Sequence, residues 1–338
     1  LLGFGASGTA LCLLRRWLLE RAEPALVVLT AATAASMPLC VAAAQFLPIE
    51  ARFVPALIWR QVGAWVGYWA LLAVPFTLGG AVVGLALMHA RRRVALVYAA
   101  NLAGSGIGAV AGPMLMLIAA PMQLPTITAA ITLVGAVTVP GLTPRRRLKP
   151  AATIVAVVLA GLAWLGPREV RMDAYKYGAY VQRLVDQGDA EVAARDHSPH
   201  GLVGIYRGEV FHDLPFLSVF ASPPSMMSIA VDGHQAGSLL RVDDAGEADA
   251  VDHTMMAAPY ALSPEDPHVV LLGETGGSNV WLAKRHDARA IDVAQPNGRL
   301  IELIRSELTG EGGHVWRHAD VATVTPRLFV EQTGEAAD

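Results

Sequence analysis

Through the first half of the chain, long apolar runs follow one another with only short polar breaks, and neither strict alternation nor a one-sided helical stripe divides them. A helix apolar all round, about 20 residues long, is what a hydrocarbon layer of about 30 Å demands. On that rule the pattern predicts the tail of one span at Leu1–Leu14 and further spans at Ala25–Leu47, Trp69–Ala90, Val94–Ala120, Leu124–Thr143 and Ala151–Leu165, about six in all. None of them carries an Asp, Glu, Lys or Arg in its body, which argues against an ion or proton pathway.

Beyond Pro167 the pattern changes. "HGLVGIYRG" and "SMMSIAVDGHQAGSLLRVDD" alternate as strands, the second with an Asp232–Gly233 turn between its arms. Next, "VVLLG" reads as a buried parallel-type strand, "SNVWLAKRHDA" as a helix, "RAIDVA" as a strand and "PNGRLIELIRSEL" as a helix, the βαβα start of a doubly wound sheet. The fold class expected is therefore a multi-pass α-helical membrane domain over residues 1–166. It is followed by a small β-rich subdomain over 167–258 and an incomplete α/β Rossmann domain over 259–338. An opening inside an apolar run and an end where another strand is due make the sequence read as a piece of a longer chain.

Composition supports this division. Of the 338 residues 54% are hydrophobic and 16% charged, and mean hydropathy is +0.43. Most carboxylates fall in the second half, whereas the first carries arginine clusters at Arg15–Arg16, Arg91–Arg93 and Arg145–Arg147. These clusters follow alternate spans and so share one face, cytoplasmic by the positive-inside rule. A net charge of −3 without a basic stripe argues against nucleic acid as a partner. Cys12 and Cys40 both sit in apolar segments, which leaves no disulfide framework or thiolate metal site.

Within the spans, Gly104, Gly108 and Gly112 share one helix face and predict close approach of a neighbouring helix. "VPFTLGG" (Val74–Gly80) reads as a kink repaired by its neighbours or as a broken, substrate-binding helix. His314 and His318, four apart, and His197 and His200 in a turn are metal-ligand spacings without a third ligand, and they read as surface histidines. The acidic run Asp243–Asp252 reads as a solvated loop.

The chemistry concentrates at "HVVLLGETGGSNV". Glycines where a strand meets a helix permit a sharp turn and close ligand approach near the positive end of the helix dipole. An acid about 20 residues on would take ribose hydroxyls, and Asp292 stands at that distance. The candidate cofactor residues are thus Gly273, Glu274, Gly276, Gly277 and Asp292.

The stretch from Met255 to Arg305 resembles the start of the nucleotide-binding domain of spermidine synthase-like proteins, specifically the membrane-fused members. "GFGASGT", "VPFTLGG" and "VYAANLAGSGIGA" are similar to the membrane motifs of that group. The resemblance implies a methyltransferase-like Rossmann domain behind a β-subdomain. It further implies binding of decarboxylated S-adenosylmethionine or S-adenosylmethionine, and aminopropyl transfer to a polyamine such as putrescine. An inner-membrane location in a bacterium and a catalytic aspartate beyond Asp338 are implied as well.

The same comparison shows departures. Glu274 and Thr275 fill positions that are glycine in the family, Val293 replaces the ribose-binding acid, and Asp292 lies one position early. Gln295–Pro296 matches the pair that follows that acid, and Asp252–His253–Thr254 stands where the family has Tyr–His–Glu. A non-catalytic binding or structural module and a small-amine transporter therefore stay open as alternatives.

Overall fold

The computed structural model describes residues 2–49, 54–138, 172, 176–212, 214–222 and 224–333. The chain divides into two compact units, Leu1–Asp173 and Ala174–Asp338.

The first unit is helical: α1 (Leu2–Glu20), α2 (Ala22–Ala44), α3 (Ile58–Ala90), α4 (Val94–Leu115) and α5 (Leu124–Thr138). Three of these elements, Ala22–Ala44, Pro55–Ala90 and Val94–Leu115, are long and apolar enough to cross a membrane. The expected boundaries need correction at several ends. Helix α2 starts three residues before Ala25 because Pro24 falls in the first turn, where no backbone N–H is needed. Helix α3 starts at Ile58 rather than Trp69, since Arg60 and Gln61 interrupt an apolar run without interrupting a helix. Helix α4 stops at Leu115 rather than Ala120: Pro113 ends the regular ladder, and Met116, Leu117 and Ile118 make short bonds to Pro113, Met114 and Leu115. The last residues of the Leu124–Thr143 span and the whole of Ala151–Leu165 lie outside the described residues, as do Arg145–Arg147.

Helix directions follow from the small residues. A Cβ on Gly3 would meet Phe76, one on Gly80 would meet Phe4 and Ser7, and one on Gly84 would meet Leu11. Positions therefore rise together along α1 and α3, and the two helices run parallel. Thr33 beside Gly79 and Leu47 beside Gly67 rise in opposite senses, so α2 runs antiparallel to α3. Parallel α1 and α3 bring Arg15–Arg16 and Arg91–Arg93 to one end of the bundle.

The glycine seam is thus Gly3, Gly80 and Gly84. A Cβ at Gly104, Gly108 or Gly112 of α4, the stripe expected to pack, would meet no described atom within 4 Å beyond its own stretch of helix. At "VPFTLGG" the helix is continuous, with Thr77 Oγ1 donating to Ala73 O at 2.9 Å.

The second unit opens with the amphipathic α6 (Tyr177–Gln187), closed at Gly188 in the left-handed conformation. A four-stranded antiparallel meander follows: β1 (Glu191–Ser198), β2 (Gly201–Arg207), β3 (Met226–Val231) and β4 (His234–Leu240). Asp232 and Gly233, both with positive φ, form the β3–β4 hairpin turn expected of Asp–Gly.

The chain then runs β5 (His268–Leu272), α7 (Ser278–Arg285), β6 (Ala290–Ala294), α8 (Gly298–Glu307), β7 (Asp320–Ala322) and α9 (Pro326–Thr333). β5, β6 and β7 form a parallel sheet in that order. One continuous core joins both sheets of this unit, with Ile205, Met227, Ile229, Leu239, Trp281, Val293, Leu300 and Ile304 fully enclosed.

Candidate functional site

The glycine turn between β5 and α7 stands where the parallel sheet presents its carboxyl edge. Gly273 has φ +82 and extends the ladder by donating its N–H to Ala294 O at 2.8 Å. Gly277 has φ +84 and caps α7, where a Cβ would also strike Val315. Gly276 is needed for a different reason: a Cβ there would lie 2.0 Å from Ser238 O of β4. Thr275 Oγ1 ties the turn to the same strand by donating to Ala236 O at 2.8 Å. Two glycines thus serve packing within the fold, and only Gly273 faces open space.

Glu274 is 8% exposed, and its carboxylate is fully engaged. Oε1 accepts the backbone N–H groups of Thr275, Gly276 and Gly277 at 3.0, 3.1 and 2.8 Å, and Oε2 accepts Asn279 Nδ2 at 2.5 Å. These are the donors that a glycine turn at a helix start would otherwise offer to a ligand. The turn is therefore neutralised by its own side chain.

Asp292 lies inside β6, two residues before its end, opposite Val270. The β5–β6 register runs without a shift from His268↔Ala290 to Leu272↔Ala294, so no bulge moves the acid forward. Its Oδ2 is 2.7 Å from His268 Nε2. Val293, on the opposite face, is wholly buried in the core.

The group at the strand end is Gln295, which the sequence marks only as the first member of the Gln295–Pro296 pair and not as a tie between turns. Buried, it donates Nε2 to Glu274 O at 2.8 Å and accepts Asn297 N at Oε1 at 3.0 Å. Asn297 in turn caps α8, accepting from Leu300 N, and its Oδ1 stands 3.2 Å from Ser198 Oγ. Successive βα turns are thus laced together along the edge where a ligand would lie.

Beside the start of α7 is a cavity of about 170 Å³, bordered by Phe216, Val251, Thr254, Met256, Ser278 and Asn279. Small-molecule sites usually offer about 300–1,000 Å³. Of the Asp252–His253–Thr254 stretch, only Thr254 borders it. Asp252 is instead paired through one oxygen with Arg285 at 2.6 Å, and its other oxygen lies 3.2 Å from His286 Nε2 without a hydrogen bond between them. His286 stacks on Tyr260 with ring centroids 4.4 Å apart, and burial pushes the Tyr260 hydroxyl up to about 12.

His314 and His318 flank the buried Trp281 ring, with centroids at 5.7 and 5.3 Å. Burial first, and then the charge of Lys284, His314 and Arg317, lowers the His318 pKa. Among the described residues no group of His, Cys, Asp or Glu is arranged to hold a metal.

No protein-family model, curated protein or solved structure matches the chain.

Proposed function

We propose that the chain is a membrane-bound spermidine synthase-like protein whose Rossmann-type domain serves as a binding or structural module, with its cofactor turn held closed. The single observation behind this reading is the Glu274 carboxylate, which takes the N–H groups of Thr275, Gly276 and Gly277. An adenosyl-sulfonium cofactor does not fit the residues as they stand, because the turn's donors are used, Asp292 is paired with His268, and the adjoining cavity is small. The three membrane-length helices support integral membrane attachment, and the resemblance supports the inner membrane of a bacterium.

Aminopropyl transfer from decarboxylated S-adenosylmethionine to a polyamine is the second reading. It is favoured by the position of the glycine turn, at the carboxyl end of the first parallel strand and directly before a helix. Calorimetric titration of the purified full-length protein with S-adenosylmethionine and its decarboxylated form separates the two. The closed-turn reading expects no heat at millimolar ligand. Micromolar binding, or release of methylthioadenosine when putrescine is added, would establish the transferase instead.

A further inference from the structure

On the membrane reading proposed above, α3 is longer than one span requires. This helix has 33 residues, about 50 Å at 1.5 Å per residue, whereas hydrocarbon spans about 30 Å. Its antiparallel neighbour gives out where Leu47 comes within 4.0 Å of the Cβ position of Gly67, so the turns before Gly67 project past α2.

At that level the residue types change. Trp59, Arg60, Gln61 and Trp65 lie in the projecting turns and Tyr68 and Trp69 at their base, whereas Phe76 is the one Phe, Tyr or Trp from Ala70 to Ala90. Trp59 is 84% exposed and Trp69 63%. Ile58, Val62, Trp65, Val66 and Trp69, also exposed, follow helical spacing on one face. Gln61 turns the other way: it is buried, and Oε1 accepts the N–H of Val54 at 3.3 Å. The polar group is thus satisfied within the protein while the aromatic groups are left outside.

The opposite end of the bundle carries Arg15–Arg16 and Arg91–Arg93. Amphipathic aromatic groups concentrated at one end, beside the single Arg60, and clustered arginines with Trp17 at the other fit a helix whose two ends meet different faces of a bilayer.

We propose that the amino-terminal turns of α3 lie in the phospholipid headgroup layer on the face away from the arginine clusters, anchored by Trp59, Trp65 and Trp69. The excess length is then accommodated at the interface, where an indole places its ring against acyl chains and its N–H among polar groups.

The test uses full-length protein in phosphatidylcholine vesicles whose acyl chains carry bromine either near the glycerol or near the terminal methyl. The chain has 7 Trp, so emission of the wild type is compared with that of a Trp59→Phe, Trp65→Phe, Trp69→Phe variant. The expected result is that the emission lost in the variant is quenched at least twofold more by shallow than by deep bromine. Equal or deeper quenching overturns the proposal, as does quenching only by aqueous iodide. Shielding from all three quenchers also overturns it, because protein then covers the face. An alkaline carbonate wash is run in parallel: release from the vesicles defeats the membrane reading itself, while retention without shallow quenching defeats only the headgroup placement.

Discussion

The Glu274 carboxylate accepts the backbone N–H of Gly277 at 2.8 Å, across the turn that the glycine pattern marks as a ligand site. Neighbouring N–H groups of Thr275 and Gly276 share the same oxygen, so its removal leaves buried donors without a partner. Glu274→Ala should cost roughly 1–3 kcal/mol, and Glu274→Gln, which keeps an acceptor oxygen, distinctly less. Thermal unfolding of the detergent-solubilised protein, followed by tryptophan emission, measures both. Equal stability of Glu274→Ala and wild type would show that the carboxylate does not hold the turn.

How much of this site was legible beforehand depends on the signal. The strand, turn and helix at His268–Arg285 carry an apolar run, glycines and helical spacing, and all three stand where the sequence puts them. The behaviour of Glu274 was not legible from spacing alone. An acid inside a glycine turn reads as a charge in a ligand's way, yet its side chain is short enough to bend back onto the N–H groups that follow it. The one available hint was an acid just ahead of a helix start, where a carboxylate is favoured.

β1 and α6 escaped notice for different reasons. β1 is an edge strand with Arg195 and Asp196 in its middle, and charged edges blur the alternation that reveals a strand. The stripe of Tyr177, Val181, Leu184 and Val185 on α6 was present in the sequence but is short and broken by Gln182 and Arg183. In the helical half, glycine spacing alone singled out α4, but glycine–glycine separation does not say which helix is a neighbour. Only the three-dimensional arrangement picks out Gly80 and Gly84 against α1.

The α1–α3 seam gives a prediction of its own. A Cβ at Gly80 would come within 2.5 Å of Ser7 Oγ and 2.8 Å of Phe4. Gly80→Val should therefore force the helices apart and cost about 1–3 kcal/mol. Gly108→Val on α4, where nothing described stands within 4 Å, should change stability by no more than about 0.5 kcal/mol. Melting temperatures in one detergent compare the pair, and equal losses would contradict the seam.

Asp292 is expected to act as a structural partner of His268. Their contact at 2.7 Å is partly screened from water, and a charge-assisted bond of this kind contributes about 1.5–3 kcal/mol. Asp292→Asn and His268→Gln should each lower the urea midpoint, and the double variant should lose clearly less than the two single losses added together. Additive losses would mean that the two side chains are not coupled.

His318 supplies a pH dependence with a definite sign. Partial desolvation beside Trp281, reinforced by the charges of Lys284, His314 and Arg317, lowers its folded-state pKa below the ordinary imidazole value of about 6.5, so the neutral ring is the form the fold prefers. Its contribution to stability is present above about pH 6.5 and is lost as pH falls from there through the lowered folded value, because the unfolded chain then binds the additional proton. From pH 8 to about pH 5, His318→Gln should therefore show a shallower fall in melting temperature than wild type. The carboxylates and the remaining histidines titrate in both proteins, so the difference between the two curves reports this one ring. Two parallel curves across that range would show that His318 does not resist protonation in the fold.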